Sequence, residues 1–145
     1  MQSYPHKYAV SASAYPTNSV TVRADGLPDM ATAPPKEFDG PGDLWSPESL
    51  LCAAVADCFV LSFRAIARAS QYDWNEIACR VEGVLDRVDG VARFTGFSTR
   101  ATLHINADAD EAKGRMLMEK AERSCLVANS LVGSRTLAAD VKRGQ

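Results

Sequence analysis

From Leu50 to Leu61 the chain is apolar on nearly every side of a helix, with Leu50, Leu51, Ala53, Ala54, Val55, Ala56, Phe59, Val60 and Leu61 in close succession. A helix that is apolar all round has to be buried, so the remainder of the chain is expected to cover it. Its start is signalled chemically. Ser46 suits the N-cap, Pro47 suits the first helical position where its missing N–H is no loss, and Glu48 complements the positive end of the helix dipole. Polar Arg64, Arg68 and Gln71 return only towards the far end, and the pattern predicts a helix over 47–70.

The apolar run breaks at Asp57 and Cys58, which leaves it shorter than the roughly 18 residues of a membrane span. Met1 to Tyr8 has no basic start followed by an apolar block, so no secretory signal is expected. A soluble, cytoplasmic protein with no membrane partner is the expectation. With 145 residues, one domain over 1–145 is expected, large enough to form a core without disulfide staples. The formal charge of −2 argues against a nucleic-acid partner, because phosphate binding needs a surplus of Lys and Arg on one face. The four cysteines should be free thiols in a reducing compartment, where a disulfide is transient and chemical in purpose.

Strand character runs from Lys7 to Ala14 and from Ser19 to Ala24 around Tyr15-Pro16-Thr17-Asn18, and a third extended piece is expected near Met30 after Asp25-Gly26. Ala33 to Gly42 is too rich in Pro and Gly for regular structure and reads as a loop into the helix. Beyond the helix, Asn75 to Arg87 and Val91 to Ile105 alternate apolar and polar residues about the Val88-Asp89-Gly90 turn, as in a half-buried hairpin. Asp108 or Asp110 should cap a second helix whose stripe is Leu117, Ala121, Cys125 and Ala128, with Gly133 as its stop and Thr136 to Val141 as a last strand. The order strands, helix, hairpin, helix, strand indicates an α+β fold with antiparallel sheets and two main helices.

Cys58 and Cys125 are the candidates for chemistry, and each has a plain alternative as a small core residue on an apolar helix face. Cys52 and Cys79 read as structural. Glu48 has a sufficient role at the helix N-terminus, and Arg23, beside the Asp25-Gly26 turn, reads as a solvated strand residue. Two histidines, His6 and His104, with no clustered carboxylates or paired thiols, do not make a metal site. Gly40-Pro41-Gly42 lacks the Lys-Ser/Thr ending of a phosphate loop, so no cofactor is indicated.

Pro35-Lys36-Glu37-Phe38-Asp39-Gly40-Pro41-Gly42, Ser46-Pro47-Glu48-Ser49-Leu50-Leu51, Ala53 to Phe59 and Ala121 to Leu131 together resemble the OsmC/Ohr family, the osmotically inducible and organic-hydroperoxide-resistance proteins. The resemblance implies a thiol-dependent peroxidase built as an intertwined homodimer with shared active sites. It places Cys58 as the peroxidatic cysteine, Cys125 as the resolving one and Glu48 as the family's acidic residue. The family's arginine in the N-terminal strands aligns with Thr17, near Asn18, and Arg23 is the nearest substitute; Leu126 stands where many members have proline. The substrates implied are an organic hydroperoxide and an external thiol reductant. A redox sensor, or a non-catalytic dimer that binds a small ligand, keeps the same fold with other uses for the thiols.

A thiol of pKa about 8.5 is only a few per cent thiolate at neutral pH, and lowering that value by two units takes about 2.7 kcal/mol of preferential anion stabilisation. No cation neighbours Cys58 in sequence. Glu48 lies ten positions earlier, roughly 15 Å along the helix at about 1.5 Å per residue. It is therefore expected to act on the Cys58 of a partner subunit, by orienting a cation there.

Overall fold

The structure is a computed structural model that describes residues 1–144. The chain forms two compact units, Met1–Leu50 and Leu51–Gln145.

In the first unit β1 (Ser11–Ser13), β2 (Val20–Arg23) and β3 (Met30–Thr32) form an antiparallel sheet in chain order. The first strand is shorter than Lys7 to Ala14, and its residues are exposed, as are Tyr8 and Val10 before it. The Pro-rich segment winds into a 3-10 turn at Lys36–Phe38, and the N–H groups of Phe38 and Gly40 both donate to the Pro35 carbonyl. A Cβ at residue 40 would lie 1.7 Å from the Pro34 carbonyl oxygen, so the turn closes only around glycine. Ser46 caps the following helix by accepting from the Ser49 N–H at 3.1 Å, while Ser49 Oγ accepts from the Ser46 N–H at 2.9 Å. This reciprocal box carries serine where Glu or Gln is usual.

Helix α1 (Pro47–Ala69) starts there and continues into the second unit. It is long and apolar enough to cross a membrane by length and composition, which the run counted from Leu50 did not suggest, because Asp57 and Arg64 do not offset its apolar length. Only 22% of its most apolar stretch is buried. Val55, Phe59, Phe63 and Ala67, four apart, form the buried edge, whereas Leu61 is 50% exposed. The expectation of burial all round therefore holds for one face of α1 within one chain.

In the second unit β4 (Glu76–Val88) and β5 (Val91–Ile105) make the long hairpin, closed by Asp89 and Gly90 at φ 51° and 80°. Two successive positive φ angles give the turn whose twist matches that of the strands. Asp110 caps α2 (Glu111–Ser124) by accepting from the Lys113 N–H at 3.0 Å. The chain continues through the short α3 (Leu126–Asn129) to β6 (Ser134–Arg143). The sheet order is β4-β5-β6, and β6 runs parallel to β5, from Gly96↔Ser134 to Ile105↔Arg143. The sheet is thus mixed and not purely antiparallel. The helical crossover carries the chain back to the start of β5, and such a connection delivers a parallel neighbour.

The core lies between this sheet and the helices. Phe59, Phe63 and Ala67 of α1 meet Ala101, Leu103 and Ile105 of β5 and Leu117, Met118 and Ala121 of α2. Phe63 packs edge-on against Trp74, with ring centroids 5.3 Å apart. At the other end Val55, Phe97, Cys125 and Ala128 form a second buried cluster that Cys52 and Cys58 border.

Candidate thiol site

Cys58 and Cys125, 67 positions apart in the chain, meet in that second cluster. The α1 helix presents Cys58 partly exposed, while Cys125 has no accessible surface. The second helix does not run unbroken through Cys125 to Gly133, as its stripe suggested. Cys125 leaves the helical region with φ −64° and ψ 106°, ending α2 and starting α3. Its side chain is thereby directed at α1, where its thiol donates to the Val55 carbonyl at 3.9 Å.

The Cys125 thiol is pushed up to about 11, chiefly because burial disfavours the anion. A hydrogen bond from the Ala128 backbone opposes this, while the adjoining Cys58 thiol and the Glu122 carboxylate raise it further. No Lys or Arg figures among these groups. The pair thus combines a partly exposed thiol with a closed, protonated one in the cluster it packs against. Such a pair can react with an external oxidant at the first sulfur and close a bond at the second.

The other two thiols have packing roles. Cys52 stands so close to β4 that a Cβ at Gly83 would lie 2.8 Å from its sulfur and 3.0 Å from the Phe94 ring. Cys79 donates to the Ala56 carbonyl at 3.5 Å, and its pKa is raised by burial and then by the Asp57 charge. Among the described residues no cluster of His, Cys, Asp and Glu could hold a metal ion.

Arg23 and Glu48 belong to the first unit. Arg23 pairs with Asp29 at 3.0 Å and donates to Ser13 Oγ at 3.4 Å, with both members of the ion pair more than half exposed. Glu48 Oε2 is buried with no hydrogen-bond partner among the described residues. A third charged group went unread in the sequence. Arg135 of β6 reaches Glu122 and Asn129 on either side of Cys125. Its partner Glu122 stands in the charged flank before Cys125, but nothing in the spacing links it to a residue 13 positions on in a strand.

The chain is thus an α+β protein whose long apolar helix packs Cys58 against the buried cluster that holds Cys125 at a helix joint. The OsmC-like protein family matches residues 40–138, more than half of the chain, and the chain belongs to that family. It is 30% identical over 115 residues to the uncharacterized protein YmaD of Bacillus subtilis (strain 168), a match covering 76% of this chain and 77% of YmaD. Among solved structures, an OsmC-like protein of unknown function from Vibrio cholerae, VCA0330, superposes with a TM-score of 0.85 at 15% identity, covering 93% of this chain and 99% of that one. An organic hydroperoxide resistance protein from Elizabethkingia anophelis superposes with a TM-score of 0.78 at 17% identity, covering 99% of this chain and 100% of that one. At such identities the two structures show a shared fold.

Proposed function

We propose that the protein is a cysteine-based peroxidase that reduces organic hydroperoxides to alcohols. The observation that carries this reading is the packing of the partly exposed Cys58 against the buried cluster that holds Cys125. Family membership, with an organic hydroperoxide resistance protein among the structural neighbours, supports the choice of substrate. The Cys58 thiolate attacks the terminal peroxide oxygen. The O–O bond breaks, the alkoxide leaves and takes a proton to become the alcohol, and the sulfur is left as a sulfenic acid. The Cys125 sulfur then attacks the Cys58 sulfur, an S–S bond forms as the S–O bond breaks, and hydroxide leaves as water with the thiol proton. An external dithiol returns two electrons to the disulfide and restores both thiols.

The full chain, residues 1–145, acts as one OsmC-like domain in a cytoplasmic homodimer. The uncovered apolar surface of α1 supports a second copy as its cover, because large exposed apolar patches mark interaction sites. Glu48 and Arg23 serve the Cys58 of that second copy, as acid and cation. The unpartnered Glu48 Oε2 supports this role, since a buried carboxylate oxygen without a partner is costly. The Arg23–Asp29 pair is no obstacle, because exposed ion pairs contribute only about 0–1 kcal/mol and exchange readily.

The test is turnover. With a dithiol reductant the protein should consume cumene hydroperoxide catalytically, and Cys58→Ser should abolish this. Rapid oxidation without turnover by any dithiol would favour a redox sensor, and thiols that stay reduced would favour a ligand-binding dimer.

A further inference from the structure

The joint that holds Cys125 is tied by a single side chain from another element. Arg135 of β6 donates from Nε to Glu122 Oε1 at 2.9 Å, from Nη1 to Asn129 Oδ1 at 2.6 Å, and from Nη2 to the Glu122 carbonyl. That carbonyl also accepts the Cys125 N–H at 3.4 Å, and the Asn129 N–H donates to the Cys125 carbonyl at 2.9 Å. Asn129 Nδ2 donates back to the Arg123 carbonyl at 3.1 Å. One guanidinium therefore grips the last turn of α2 and the end of α3, with the non-helical Cys125 between them.

Arg135 is itself fixed by the sheet, where its strand partner is Phe97, a member of the buried cluster that contains Cys125. Its ion pair with Glu122 is mostly shielded, with side chains 25% and 15% exposed. Only a planar fork can serve three acceptors in these directions; a lysine ammonium cannot reproduce them.

We infer that Arg135 is a positioning residue that holds Cys125 against Cys58 and so sets how fast a Cys58 sulfenic acid closes to a disulfide. The inference rests on the peroxidase reading above. Two reactions compete for the sulfenic acid. Attack by Cys125 forms the S–S bond and releases water, whereas a second hydroperoxide oxidises the same sulfur to sulfinic acid and releases a second alcohol. Closure within one molecule depends on sulfur placement, and a displacement of about 1 Å can cost about a hundredfold. The competing oxidation depends only on hydroperoxide concentration and on access to Cys58.

The experiment compares the reduced full-length protein with Arg135→Gln, Arg135→Lys and Asn129→Ala under rising cumene hydroperoxide, using quenched intact-mass spectrometry and peptide mapping. Loss of two hydrogens reports closure, and gain of two oxygens on Cys58 reports sulfinic acid. Arg135→Gln is expected to close at least about tenfold more slowly and to accumulate sulfinic acid at hydroperoxide levels where the parent forms disulfide. Its consumption of the first equivalent should be unchanged, with Arg135→Lys intermediate. If Arg135→Gln does not fold, Asn129→Ala, which removes one of the three guanidinium contacts together with the Asn129 bond to the Arg123 carbonyl, must show the smaller change in the same direction.

Equal closure rates and equal partition in parent and variants would overturn the inference while leaving the peroxidase reading intact. A first oxidation that slows in step with closure would also overturn it, because the effect would then lie at Cys58. A parent that forms no Cys58–Cys125 bond would remove the peroxidase reading itself.

Discussion

Replacing Cys125 by serine should flatten the alkaline limb of the stability profile. The buried Cys125 thiol is raised from an ordinary 9.0 to about 11 in the folded protein, so between these values the unfolded chain loses the proton while the folded chain keeps it. Over that interval the folded state binds more protons, and unfolding becomes easier as pH rises. The contribution is complete below pH 9 and is lost as the pH climbs through about 11. Each pH unit removes at most about 1.36 kcal/mol, hence up to about 3 kcal/mol over the interval. Serine does not titrate there. Urea unfolding under a phosphine reductant, measured for parent and Cys125→Ser from pH 8 to 11, isolates the term, because lysine and tyrosine titrations cancel in the difference. The parent should lose about 1–3 kcal/mol more than the variant. Parallel profiles would refute the burial of a neutral thiol at this joint.

Three further substitutions test the framework that carries the thiols. Phe63→Ala removes a fully buried ring packed on Trp74 and should cost about 3–5 kcal/mol, read as a lower urea midpoint at unchanged slope. Asp110→Ala deletes the α2 cap and should cost about 1 kcal/mol in the same assay, with amide exchange quickening first at Lys113. Gly114→Ala gains about 1 kcal/mol of helix propensity, but its Cβ would meet Tyr72 Oη at 2.5 Å and the buried Leu103 side chain at 2.9 Å. Overpacking of about 1–3 kcal/mol should outweigh that gain and give a net loss of stability, and a more stable Gly114→Ala would show that the Tyr72 hydroxyl yields freely from the Asp110 carbonyl.

The elements that were legible in the sequence are those with local signals. The Ser46-Pro47 cap and the apolar run placed α1 within a residue of its observed end at Ala69, and Asp89-Gly90 placed the β4–β5 turn. The features that were not legible depend on partners distant in the chain. The break at Cys125 is invisible to helical periodicity, because the stripe Leu117, Ala121, Cys125, Ala128 is continuous and the joint is held by Arg135 from β6. The parallel direction of β6 follows from where the crossover ends, and the alternation of a strand does not encode that. The extent of α1 burial within one chain is not legible for the same reason: composition says that an apolar face needs cover, not which chain supplies it. For the site, spacing alone favoured a core role for Cys58 and did not decide the exposure of Cys125, and only the motifs read together singled them out.

The central claim is that Cys58 and Cys125 are one redox unit, and the most direct measurement is titration of the reduced protein with less than one equivalent of cumene hydroperoxide. Intact mass, free-thiol count and a non-reducing peptide map are then recorded. Loss of two hydrogens and two thiols per hydroperoxide is expected, with a single Cys58–Cys125 crosslink, and neither in Cys58→Ser. A full complement of four free thiols after hydroperoxide treatment, or a crosslink through Cys52 or Cys79 instead, would contradict it.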